Sequence, residues 1–167
     1  VKESNMKLAD SYYDVMNLSE GYVSHSFAQQ IETDGKYIYR ADLGDAYPRG
    51  IALTATKVGD QVKDPSMYGT VISIPGDTGY NYTGYTLNDL KLGTNNYILT
   101  GTGIKSEKTS VRNIYMNAGS KTHLQTGAKW ITNYTAKDKI TVMNPKLVKL
   151  SGAQFLLLWE EKNTVKN

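Results

Sequence analysis

Gln30-Ile31-Glu32-Thr33-Asp34-Gly35-Lys36-Tyr37-Ile38-Tyr39 sets a pattern that the chain uses three times. An alternating segment runs into a tight polar turn, and an apolar segment with an aromatic near its start follows. The second copy is Leu90-Lys91-Leu92-Gly93-Thr94-Asn95-Asn96-Tyr97-Ile98-Leu99. The third is Val148-Lys149-Leu150-Ser151-Gly152-Ala153-Gln154-Phe155-Leu156-Leu157. Aligned in this way, Tyr37, Tyr97 and Phe155 recur about every 60 residues, and a strand-built repeat of that length predicts a β-propeller with one four-stranded blade per unit. A lone four-stranded sheet leaves two faces in water. Radial stacking buries both, so inner strands carry apolar residues on both sides. Phe155-Leu156-Leu157-Leu158-Trp159 has that two-sided character. The alternative is a β-sandwich, whose strands recur without a fixed long period.

The period divides the chain into a lead-in or part of a preceding blade over residues 1–21 and units at about 22–79, 80–142 and an incomplete 143–167. A propeller ring typically takes about four to eight blades. The expectation is therefore an all-β fold, a partial propeller of about three four-stranded blades in an incomplete ring. The third copy stops soon after its apolar strand, so the chain reads as cut in mid-unit. Open edges and apolar blade faces invite association, with the remainder of the propeller or with a complementary chain.

Composition agrees with this architecture. Tyrosine outnumbers phenylalanine 13 to 2, with 15 Gly and only 4 Pro, a balance that favours strands and turns. Cysteine is absent, which excludes disulfides and thiolate metal sites. A net charge of +3 makes no case for nucleic acid. No apolar run approaches the roughly 20 residues of a membrane-spanning helix. No charged-then-apolar leader follows Val1, as in a mature secreted product or a fragment.

Strands are expected at residues 22–27, 28–32, 37–42, 50–57, 70–74, 97–102, 111–117, 129–134, 146–150 and 155–160. Residues 1–20 have the spacing of a short helix or a strand, and the polar tail from Glu161 is expected to fray. Asp34-Gly35 is a strong hairpin turn, and Asp64-Pro65 lies in a loop.

Asp42-Leu43-Gly44-Asp45-Ala46-Tyr47-Pro48-Arg49 is the densest polar constellation. Asp42 and Asp45 flank a glycine turn that would bring both carboxylates to one cation, and oxygen-rich loops of this kind suit Ca²⁺. Paired carboxylates also serve acid and base steps on polysaccharide. The plainer alternative has both aspartates capping turn amides, with Arg49 paired to one of them. His25 joins this group if it faces the loop across a hairpin. His25 and His123, isolated from each other, form no metal motif. Tyr80, Tyr82 and Tyr85 place three aromatics on a polar loop, and tyrosine stacks on sugar rings and makes good protein-binding surface. No phosphate loop, nucleophile elbow or zinc-protease helix motif is present.

The segments His25-Ser26-Phe27 through Asp34-Gly35 to Gly50, then Asn144-Pro145-Lys146-Leu147-Val148-Lys149-Leu150 and Phe155-Leu156-Leu157-Leu158-Trp159-Glu160-Glu161, resemble large secreted or surface proteins of clostridia-like Gram-positive bacteria. Those proteins are propeller-bearing and mostly without an assigned activity. The resemblance implies a propeller fold and an extracellular or cell-surface location. Neither the Ser-x-Asp-x-Gly-x-x-Trp box of sialidase propellers nor a Trp-Asp dipeptide is present. The functional expectation is a binding or scaffold module that presents loops to a glycan or protein partner. A polysaccharide-acting enzyme and a structural subunit of a larger assembly are the alternatives.

Overall fold

The computed structural model describes residues 26–44, 50–57, 67–72, 85–105 and 109–165. The reading of residues 1–20 lies outside them. The fold is all-β, with three small antiparallel sheets and no closed barrel or propeller among the described residues. The first sheet is a four-stranded meander of β1 (Ser26–Thr33), β2 (Tyr37–Gly44), β3 (Ile51–Lys57) and β4 (Met67–Ile72). The second repeats that order with β5 (Asp89–Leu92), β6 (Asn96–Ile104), β7 (Arg112–Ser120) and β8 (Lys129–Trp130). The third is a two-stranded ribbon of β9 (Ile140–Ser151) and β10 (Gln154–Asn163).

The first turn shows why the sequence folds locally as it does. Asp34 Oδ1 accepts the amides of Lys36 and Tyr37 at 3.0 and 2.8 Å. Gly35 takes φ 82°, which a side chain would resist. The Thr33 hydroxyl donates to the Tyr37 carbonyl at 2.8 Å. The turn thus satisfies its own polar groups and closes β1 onto β2.

Several strand limits differ from the expectation. Residues 26–33 form one continuous strand instead of the boundary expected between residues 27 and 28. The fourth strand runs from Met67 to Ile72, earlier than residues 70–74. Only Lys129–Trp130 forms β8; beyond it the Ile131 amide still donates to the Ile114 carbonyl at 2.8 Å, and side chains make the contacts that follow. Asn113 donates to the Tyr134 carbonyl and accepts from the Tyr134 amide and the Thr132 hydroxyl. Asn144-Pro145 does not interrupt β9 but forms a bulge within it. Asn144 adopts φ 51°, and the pairing shifts register between Leu158 and Glu160, leaving Trp159 opposite the bulge. Instead of fraying from Glu161, β10 stays paired to Asn163. Tyr134 and Trp159 both donate to Glu161 Oε1, at 2.5 and 3.1 Å, and these bonds hold its carboxyl below the usual range.

The three sheets form successive layers. Tyr39, Ala41, Leu43, Ile51, Leu53 and Ala55 of the first sheet share a core with Leu90, Leu92, Tyr97, Leu99 and Tyr115 of the second. The opposite face of the second sheet meets the ribbon: β9 packs across β5, β6 and β7. Leu147, Phe155 and Leu157 line a cleft there with Ile98 and Met116. Strand β6 is therefore buried on both sides, with Tyr97, Leu99 and Thr100 fully covered and Ile98 nearly so. Its small residues permit this. A Cβ on Gly101 would collide with the Thr86 carbonyl and the Tyr115 hydroxyl. The two-sided burial expected of Phe155–Trp159 belongs instead to β6. In β10, Leu156 and Leu158 are 44% and 50% exposed.

The register of the repeat also needs correction. Thr33 pairs with Ile38 and Leu92 with Tyr97, so the first two turns span the same length, whereas in the third Ser151 pairs with Gln154 and a register shift follows. Ile38, not Tyr37, is the structural equivalent of Tyr97. A one-residue slip moves a side chain to the other face of a strand. Tyr37 accordingly lies on the face of β2 that looks toward the second sheet, whereas Tyr97 looks back toward the first. With the register corrected, the first and second sheets present the same face to the unit that follows each of them.

Polar contacts tie the layers together. Lys91 Nζ lies 2.9 Å from Glu32 Oε1 in β1 and 3.3 Å from Asp89 Oδ1. The Glu32 bond leads the forces that raise the Lys91 pKa, against the desolvation that lowers it. Asp89 is buried, and its Oδ2 accepts the Leu147 amide of β9 at 2.9 Å. One short charged cluster thus touches all three sheets.

Candidate functional site

The equivalent turns of the three units line up at one end of the stack. The Thr94 amide donates to the Gly152 carbonyl at 3.0 Å, joining the second turn to the third. The Lys121 amide donates to the Asn95 carbonyl at 2.9 Å, and Lys121 Nζ reaches Asp34 Oδ2 at 2.9 Å. Lys121, at the end of β7, therefore bridges the first and second turns.

Between those turns lies a groove of about 470 Å³. Asp34, Lys36, Tyr37 and Tyr39 form one wall, and Thr94, Asn95, Lys121 and Thr122 form the other. The Tyr37 and Tyr39 rings lie 6.3 Å apart, tilted by 57°. Lys36 Nζ sits 5.6 Å from the Tyr37 ring centroid, within cation–π range. Partial burial works to raise the Asp34 pKa. The Tyr37 amide, Lys121 and the Lys36 amide outweigh it and hold the carboxyl below its ordinary value. The groove thus combines aromatic surface, hydroxyl and amide groups, two ammonium groups and one ionised carboxylate. Such a mixture suits a polar ligand with an apolar face.

The residues singled out from sequence fall in different places. Asp42 lies in β2, with its side chain 1% exposed. Arg40, two residues back on the same face, grips it: Nε lies 2.6 Å from Oδ2, and Nη2 donates to Oδ1 at 2.8 Å. Arg40 thus engages both carboxylate oxygens, Oδ1 through a hydrogen bond and Oδ2 through an ion pair that lacks hydrogen-bond geometry. Asp45, Tyr47, Arg49, His25, Tyr80 and Tyr82 lie outside the described residues. Tyr85 is described and half-buried, and its ring packs against Gly103. His123 is exposed and bridges to Ser120. Among the described residues no group of three or more His, Cys, Asp or Glu side chains is placed to hold a metal ion.

The groove is not legible in the sequence. Asp34-Gly35 and Thr94-Asn95-Asn96 read there only as turns. The usable signal was the repeat itself, because stacked equivalent units bring equivalent turns side by side. Lys121 and Thr122 carried no such signal. No family model matches this chain, and neither a curated protein nor a solved structure matches it.

Proposed function

We propose that this chain is a section of an extracellular β-propeller scaffold that offers the turn-end groove to a glycan or protein partner. One observation carries the reading: the first sheet meets the second, and the second meets the ribbon, through corresponding faces of β2 and β6. A sandwich of two sheets has no need of that directional order, whereas successive blades require it. The paired strand order of the two meanders and the alignment of their turns support the same view. So does the resemblance to propeller-bearing surface proteins of Gram-positive bacteria. The occupation of Asp42 by Arg40 favours a binding role over acid–base catalysis at that carboxylate.

The test is a glycan array, followed by calorimetric titration of the ligands it returns. A groove ligand should lose about tenfold or more in affinity on Lys36→Ala or Asn95→Ala, side chains that line the groove outside the core. Ligands whose affinity ignores both substitutions, or an array with no ligand at all, would remove the groove from the account.

A further inference from the structure

We infer that the edge of β10 left unpaired among the described residues, with the outer face of the ribbon, receives a further antiparallel strand backed by an apolar layer. This rests on the repeat-scaffold reading above.

The corrected register carries the argument. Strands β2, β6 and β10 are equivalents. Among the described residues β2 lies between β1 and β3, and β6 between β5 and β7, whereas β10 pairs with β9 alone. A strand pairing there thus has two templates in this chain, the seven residues of β3 and the nine of β7. Both are apolar at alternate positions and pair antiparallel in unbroken register.

The exposed face tells the same story. Tyr39, Ile98 and Leu156 occupy equivalent positions that face the following unit. Their exposures are 1%, 8% and 44%. The next equivalent set is Ala41, Thr100 and Leu158, at 0%, 0% and 50%. In the first two units a following layer buries these positions. In the third, Leu156 is comparable in size to Ile98 and Leu158 is larger than Ala41 and Thr100, yet both stay half-exposed, and Val148 beside them is 43% exposed. The face continues an interface that the molecule already builds twice. What covers it twice is Leu- and Tyr-rich, as in Leu90, Leu92, Tyr97 and Leu99 over the first sheet, or Leu147, Phe155 and Leu157 over the second. The occupant is therefore a β-sheet segment of that chemistry, joined by strand addition.

The template also fixes the register. Met116 pairs with Thr100 and Ala118 with Ile98, so those two positions of a β7-like strand would lie opposite Leu158 and Leu156.

The experiment uses the whole chain and a synthetic peptide with the β7 sequence, Arg112–Ser120, followed by amide NMR at millimolar peptide. The expected result is a saturable shift of β10 amides that leaves β4 unmoved. Leu158→Lys should weaken it by about tenfold, since a lysine on a strand edge opposes pairing. His123→Ala should leave it unchanged. Absence of β10 shifts would overturn the inference. So would a dimer by light scattering with β10 amides already protected, which would make the occupant a second copy. Phosphatidylcholine vesicles moving the same amides in place of the peptide would overturn it in favour of a lipid surface. If the peptide fails while Ile98→Asp still unfolds the chain, the stacked scaffold stands and only the occupant of β10 is lost.

Discussion

The second sheet and the ribbon are built from the same sequence pattern, yet they differ in how much water they see. Strand β6 is covered on both sides, by Tyr39 and Leu53 from the first sheet and by Leu147 from the ribbon. Strand β10 is covered on one side only, so Leu156 and Leu158 stay half-exposed. The difference lies in the neighbours, not in the strands. Both strands carry large apolar residues, Tyr97, Ile98 and Leu99 in β6 and Phe155 to Leu158 in β10, but β6 continues into Thr100, Gly101, Thr102 and Gly103. The small residues let neighbouring groups close on β6, as the Thr86 carbonyl and the Tyr115 hydroxyl do at Gly101.

The sharpest way to break this comparison is to truncate one leucine in each strand. Leu99→Ala should cost about 2–5 kcal/mol, because the fully enclosed site cannot collapse around the cavity. Leu158→Ala, half in water already, should cost less than about 1 kcal/mol. Urea midpoints of the two variants measure the gap, and equal losses would mean that the ribbon face is not open in solution.

A smaller effect isolates the tie between the two regions. Asp89→Ala leaves the buried Leu147 amide without its acceptor and should cost about 1–3 kcal/mol. Hydrogen exchange should speed up at Leu147 before it does so in β6. Uniform acceleration across both would show that the ribbon and the second sheet open as one unit.

The smallest effect concerns the groove. The Asp34 pKa is lower folded than unfolded, so its contribution is complete above the unfolded value near 3.9 and is lost as pH falls through the folded value. Its partly exposed pair with Lys121 is worth at most about 1 kcal/mol, less in high salt. Asp34→Asn should thus lower stability slightly at neutral pH, with the gap closing in acid. A gap that persists at pH 2 would assign the loss to the turn hydrogen bonds to Lys36 and Tyr37.

Much of the local structure was legible in the residues themselves. Asp34-Gly35 announced its hairpin through its own hydrogen bonds, and the alternation of residues 51–57 announced β3. The unity of β9 was not legible, because Asn144-Pro145 normally signals a break. The strand absorbs the pair as a bulge only because β10 runs alongside it. The candidate site was less legible still. Asp42 was singled out as a ligand, but Arg40 two residues before it on the same strand face holds its oxygens. The groove joins Asp34 to Lys121 across 87 positions of sequence.

The amino-acid sequence alone determined that this chain is built of strands, where most of its tight turns fall, and that one hairpin pattern occurs three times. Periodicity and turn chemistry act over a few residues, so they can be read from the chain directly. Only the tertiary structure decided which face the first and second units show to the next, that β6 and not β10 lies at the double interface, and that two hairpin turns and the end of β7 share one groove. Those outcomes depend on register and on contact between distant segments, and a shift of one residue reverses the face of every side chain in a strand.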